Sequence, residues 1–276
     1  LAFNRLKLSA DCIAQMLEPS ARTRRVGCPI GHAATLAKSQ PLRQGPFMVP
    51  FSFCAEELRF VGGQVGGGAL YWPREQALLV ADLHLEKASF FAQSGQMLPP
   101  YDSRETLHRL ALAIHETGAR RVFALGDNFH DDSGLSRMEP HAAQMLTILT
   151  RSVDWVWIVG NHDPSLEKSV GGDVVEEAEV SGIILRHQAR TGETKPELSG
   201  HFHPKLIVKP RGRRISRPCA VVSDRRMILP AFGTFTGGMD ASSPEILNSM
   251  QPAKFIDAIL PVRGQLVQYP LWRKAA

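Results

Sequence analysis

Between Ala77 and Asp163 three short apolar runs, ALLVA, VFAL and WVWIV, each stop abruptly at polar groups. The stops are Asp82-x-His84, Gly126-Asp127 and Gly160-Asn161-His162-Asp163. Runs of four or five apolar residues suit strands in a largely buried sheet. Two segments with helical spacing separate them. YDSRETLHRLALAIHETGA places Leu107, Leu110, Ala111 and Ile114 on one face, with Asp102 or Ser103 to cap its start and Gly118 to stop it. The second helix lies around Pro140–Leu149. Strand–helix–strand alternation of this kind is the pattern of a sheet with helical crossovers.

FSFCA, LRFV and GALYW read as strands ahead of residue 77, and residues 86–94 as a short helix. Beyond about residue 174 strands dominate: GIILRHQ, ELSGH, KLIVKP, AVVSD, RMILPA, FIDAIL and QLVQYPL, interrupted by one helix, SPEILNSM. There is no internal repeat and no long linker. The expectation is two sheets packed face to face with helices outside, in a single domain over 48–276.

With 276 residues and 43% hydrophobic content the chain can bury a large core. No apolar run approaches the length of a membrane-spanning helix, so no membrane partner is expected. Cys12, Cys28, Cys54 and Cys219 are scattered, which reads as a reducing, cytoplasmic setting without a disulfide framework or a thiolate metal site. The net charge of +5 is uneven. Seven of the 32 basic residues but only two of the 27 acidic ones fall in residues 1–47, leaving 25 of each sign in the rest. Overall basicity therefore says nothing about nucleic-acid binding by the body. Residues 1–47 read as a disordered leader, either transit-like or upstream of a start at Met48.

Polar residues at strand ends form a series: Asp82-x-His84, Gly126-Asp127, Gly160-Asn161-His162-Asp163, His187 and Gly200-His201-x-His203. Each alone is an ordinary polar loop, and His187 alone is as readily a surface histidine. Five such ends in one chain match what two divalent cations with nitrogen and oxygen ligands require. Without cysteine the set leans toward Mn²⁺, Fe or Zn²⁺.

The series resembles the calcineurin-like binuclear metallophosphoesterases, whose pattern is DxH, GD, GNH[DE], a lone His and GHxH. The resemblance covers about residues 75–205. It implies a four-layer α/β/β/α sandwich of two mixed sheets flanked by helices, with the site at the carboxyl ends of the strands. It further implies that Asp82, His84, Asp127 and His203 hold one metal, and that Asp127 bridges to a second completed by Asn161, His187 and His201. Two cations about 3.5–4 Å apart share a hydroxide and grip phosphate oxygens for in-line displacement. His162, which follows a ligand position without being one, is the candidate proton donor, with Asp163 to orient its ring. His130, three residues after Asp127, is a second candidate to reach a phosphate oxygen, or else a loop histidine bonded to Asp131 or Asp132.

LHLEK after the first motif, the segment from Gly95 through LPPYD, GDNFHD and GHFHP together resemble the bacterial ligase-associated DNA damage response endonucleases. That resemblance implies an Mn²⁺-dependent endonuclease on single-stranded DNA in DNA repair, with a DNA ligase and a helicase as functional neighbours. KPRGRRISRP places Lys209, Arg211, Arg213, Arg214 and Arg217 on an expected hairpin, able to grip flanking phosphates or merely to solubilise. Phe129, Phe202 and Phe232 stand open between base stacking and core. The competing reading is a hydrolase of small phosphoesters, such as a nucleotide or sugar-nucleotide pyrophosphatase. A metal-free scaffold would require missing ligands, and the series is complete.

Overall fold

Period-two alternation sorts the apolar side chains of the central strands into two cores. A computed structural model describes residues 47–63, 68–166, 171–209 and 214–274. The leader expected over 1–47 lies outside them except for Phe47, which opens the first strand. The first sheet runs in chain order: β1 (Phe47–Phe53), β2 (Glu56–Gly62), β3 (Ala69–Trp72), β4 (Ala77–Val80), β5 (Arg121–Leu125), β6 (Asp154–Ile158) and β7 (Asp173–Val175). β1 to β4 pair antiparallel, and β4 to β7 parallel.

The second sheet starts with β8 (Glu177–Val180), β9 (Ile183–Arg186) and β10 (Glu197–Ser199). A separate antiparallel hairpin follows, β11 (Lys205–Val208) and β12 (Ile215–Pro218). The sheet resumes with β13 (Ala220–Ser223), β14 (Arg226–Ile228), β15 (Phe255–Val262) and β16 (Gln265–Arg273), in the order β16-β15-β13-β14-β10-β9-β8. β9, β10 and β14 are mutually parallel and the other pairs antiparallel, so both sheets are mixed.

The helices are α1 (Lys87–Gln93), α2 (Asp102–Thr117), α3 (Gly134–Arg137), α4 (Pro140–Ser152) and α5 (Pro244–Ser249). Leu78 and Val80 of β4, Val122 and Ala124 of β5, and Trp155 and Trp157 of β6 face α2 and α4. Their alternates, Ala77, Leu79, Phe123, Leu125 and Ile158, face Ile183, Leu185, Leu198, Val222 and Met227 of the other sheet. A third core lies outside the second sheet, where Val221, Ile228, Ile256 and Ala258 meet Ile246 of α5, Met250 beyond it and Leu206 of the hairpin. Each large apolar side chain so buried stabilises by about 1.5–3 kcal/mol. The result is the expected four layers: helices, sheet, sheet, and a thin outer layer of α5 with the hairpin.

One local expectation fails, and one alternative left open is decided. Asp102 and Ser103 do not cap α2, whose N-cap is Tyr101 without a side-chain bond. Asp102 Oδ2 instead accepts the Ala88 N–H at 2.9 Å, capping α1, and Ser103 Oγ bonds both the Glu86 amide and its carboxylate. The first turn of α2 is thus tied to the start of α1. Phe129 and Phe232 are core residues, at 1% and 0% exposure, and cannot stack bases, whereas Phe202 is half-buried.

Candidate metal centre

Five strands end at one place. β4, β5 and β6 are adjacent and parallel, so their carboxyl ends deliver Asp82 and His84, Asp127 and His130, and Asn161 and His162 side by side. β9 and β10, also adjacent and parallel, deliver His187, then His201 and His203, from the facing sheet. Carboxyl ends of parallel strands are where open α/β sheets place their ligands. Backbone bonds knit the loops: Asp82 N–H donates to Gly126 O at 3.2 Å, His84 N–H to Asp127 O at 2.9 Å, and Gly200 N–H to His187 O at 2.8 Å.

Ligand atoms of Asp82, His84, Asp127 and His203 all lie within 4.8 Å of one another, and so do those of Asp127, His187 and His201. Asp127 belongs to both groups. Asn161 Oδ1 lies 3.0 Å from His187 Nε2, at the edge of the second group. His187 is buried, which removes the surface reading, and its Nδ1 lies 3.1 Å from Leu125 O. The carbonyl can only accept, so Nδ1 carries the proton and Nε2 the lone pair. That lone pair faces Asn161 Oδ1, Asp127 Oδ1 at 3.4 Å and His201 Nδ1 at 3.0 Å.

The electrostatics agree. Burial, reinforced by His203, His162, His130 and Lys87, pushes His84 down to about 2. Burial also lowers His201, with His187 adding to it. These rings are neutral at pH 7, the form in which imidazole binds metal. Asp82 and Asp127 are at most 2% exposed, and no Lys or Arg pairs with them among the described residues. Beyond the His201 and His162 amides that donate to them, these buried carboxylates have no positive partner among the described residues, and a cation can supply one. The donor set therefore fits one divalent ion in each group.

His162 donates from Nδ1 to His130 O at 2.8 Å, and its side chain is 39% exposed. Nε2 is then the ring's available nitrogen, 4.0 Å from Asp127 Oδ2. Asp163, expected to orient this ring, does something else. Its Oδ2 accepts from the Asn128 and Phe129 amides and its Oδ1 from Gly160 N–H, all between 2.8 and 3.2 Å. It ties the loop after β5 to the loop after β6, and the His130 carbonyl orients His162 in its place. His130 bonds neither acidic neighbour: Asp131 pairs with Arg137, and Asp132 accepts the Ser165 amide. Its Nδ1 lies 3.3 Å from His84 Nδ1, and His84, His130 and His162 form a third convergence of ring nitrogens. Burial first, then the Lys87 and His162 charges, push His130 down to about 4, so it is a neutral ring at pH 7.

Several rim residues carried no separate signal in the sequence. Phe90 and Phe91 of α1 pack on His130, with ring centroids 4.7 and 5.4 Å away. Gly233 donates its N–H to Asp82 O at 3.1 Å, bringing the segment after β14 against the first motif. Of the basic hairpin, Lys209 and Arg214 are exposed at the roots of its tip, while Arg211 and Arg213 lie outside the described residues.

No protein-family model matches the chain, and no curated protein does. Among solved structures it is similar to the nuclease MPE of Pseudomonas putida, at 28% identity and a TM-score of 0.60. The match covers 81% of this chain and 100% of that one. The fold is a metallophosphoesterase-like sandwich. Among the described residues no helix is long and apolar enough to cross a membrane.

Proposed function

We propose that the chain is a metal-dependent phosphodiesterase acting as an endonuclease on single-stranded DNA. The observation that carries this is the two-group convergence sharing Asp127, and the likeness to a nuclease supports it. Asp82, His84, Asp127 and His203 would hold one cation, and Asp127, Asn161, His187 and His201 the other, with Mn²⁺ preferred over Fe or Zn²⁺. Such a pair, when bound, supplies Lewis acidity toward phosphoryl oxygens and acidifies water.

The chain's own residues do the rest. The His130 carbonyl accepts from Nδ1 and so holds the His162 ring, whose imidazolium form presents its Nε2 proton to the departing oxygen and is left neutral. The neutral His130 ring, backed by Phe90 and Phe91, walls that side of the site and offers a hydrogen bond to a phosphate oxygen. Lys209, Arg211, Arg213 and Arg214 contribute screened attraction to a polyanion. The resemblance to ligase-associated endonucleases adds a DNA-repair setting, with a ligase and a helicase as neighbours, in the cytoplasm.

The test is purified protein with Mn²⁺ on circular single-stranded DNA, on bis(p-nitrophenyl) phosphate and on p-nitrophenyl phosphate. Nicking of the circle and hydrolysis of the diester are expected. Activity confined to the monoester would overturn the reading in favour of a small-phosphoester hydrolase.

A further inference from the structure

Beside the metal centre lies a second cluster. Tyr101 and Phe235 are 52% and 38% exposed, and their rings meet at 5.8 Å. Both are tethered to the first motif. Tyr101 precedes Asp102 and Ser103, which bond Ala88 and Glu86. Phe235 is two residues, at most about 7 Å of chain, beyond Gly233, whose amide bonds Asp82 O. Thr234 is pinned to Thr106 of α2 at both its amide and its hydroxyl.

Phe235 has φ 60°, left-handed backbone in which a bulky residue is an outlier. No core contact repays that strain, since the ring is among the exposed apolar ones. Lys205, two residues after His203, sends Nζ to within 3.4 Å of Thr236 O, next to Phe235. Lys87, three residues after His84, acts electrostatically on His84 and His130; it is itself attracted by Asp102 and, less strongly, repelled by Lys205. Neither lysine has a salt-bridge partner among the described residues. Two exposed rings and two ammonium groups without a direct ion pair are therefore gathered on one rim.

We propose that Tyr101 and Phe235 stack an unpaired base flanking the scissile phosphate while Lys87 and Lys205 hold the adjoining backbone phosphate. This rests on the nuclease reading above and gives it a reason to prefer single strands, because a paired base keeps its faces inside the duplex. Base–aromatic stacking tolerates any sequence, so the subsite selects strandedness and not sequence.

The experiment is steady-state cleavage of a fluorescent oligo(dT) by the Mn²⁺-loaded full chain. Tyr101→Ala and Phe235→Ala are each expected to raise KM about tenfold, with the loss in KM and not in kcat, and Tyr101→Phe to restore wild-type KM. Lys87→Gln and Lys205→Gln are each expected to flatten the salt dependence of kcat/KM, by about 0.7 in the log–log slope per lost contact. Wild-type KM in both ring variants would overturn the subsite. So would an equal loss on bis(p-nitrophenyl) phosphate, which has no flanking nucleotide, or equal cleavage of duplex and single strand by the wild type. Those outcomes leave the nuclease reading standing. Failure of the wild type to cut any polymer removes that reading, and the subsite with it.

Discussion

Asp82, His84, Asp127, His201 and His203 all have left-handed backbone, with φ between 44° and 73°. For a residue with a Cβ this conformation costs roughly 1–2 kcal/mol, although Asp and His are among those that tolerate it. Five such residues around one pocket make strain that function retains. The glycines beside them answer a different need. Gly160 is not itself at positive φ. A Cβ there would meet Asp127 N and Oδ1 at 2.2 Å. Gly126 combines both demands, with φ 78° and a Cβ that would meet the His187 ring at 2.3 Å. Gly160→Ala must displace the shared carboxylate, a backbone clash that should cost about 1–3 kcal/mol. Its cation affinity, read by calorimetric titration with Mn²⁺, should fall by at least tenfold. His162 stands apart, because no group of four or three carrying Asp127 includes it. His162→Ala should retain both cations by elemental analysis yet lose about 10²–10⁴-fold in kcat, most on diesters with poor leaving groups. Loss of metal in that variant would make His162 a ligand.

At the scale of elements, the active end is assembled by polar ties between segments distant in sequence. Asp102 of α2 caps α1, Asp163 joins the loops after β5 and β6, and Asn128 Nδ2 reaches back to Ile158 O at 2.9 Å. Burial raises Asp163, while the amides of Gly160, Phe129 and Asn128 pull the other way. Asp102→Ala removes the α1 cap and should cost about 0.5–2 kcal/mol in urea denaturation. Asp102→Asn should recover most of it, and no change in either variant would mean that α1 is held by packing alone. These ties explain what could not be read from the chain. An Asp before a helical pattern is ambiguous between its own helix and another, and YDS satisfies the local cap signature while serving α1. β7 and β8, DVV and EAEV, were also illegible, because they are only three and four residues long and carry Asp and Glu, which are depleted in strands. The runs ending at Leu125 and Ile158 were legible because both faces of those strands are buried.

At the scale of the whole molecule, the candidate ligands come from both sheets. Asp82, His84, Asp127 and Asn161 belong to the first, and His187, His201 and His203 to the second. The motif series therefore carried more of the tertiary structure than any strand assignment did: residues that must share a cation must sit at one end of a sandwich. What spacing alone could not show was the direction of each side chain, as the reassignment of Asp163 makes plain. Cations bound across the sheets would act as staples. A ligand that binds only the folded state at 100 times its Kd adds about 2.7 kcal/mol of stability, which for a domain of this size corresponds to roughly 5–11 °C in Tm. Mn²⁺ addition to chelator-treated protein should produce a rise of that order, and Asp127→Asn, which alters both groups at once, should abolish most of it. Amide hydrogen exchange locates the effect. Protection should increase together at Asp127–Phe129 after β5 and at His201–His203 after β10, two segments with no shared strand. Protection confined to one sheet would mean that the cations bind within that sheet alone, and the shared role of Asp127 would fall.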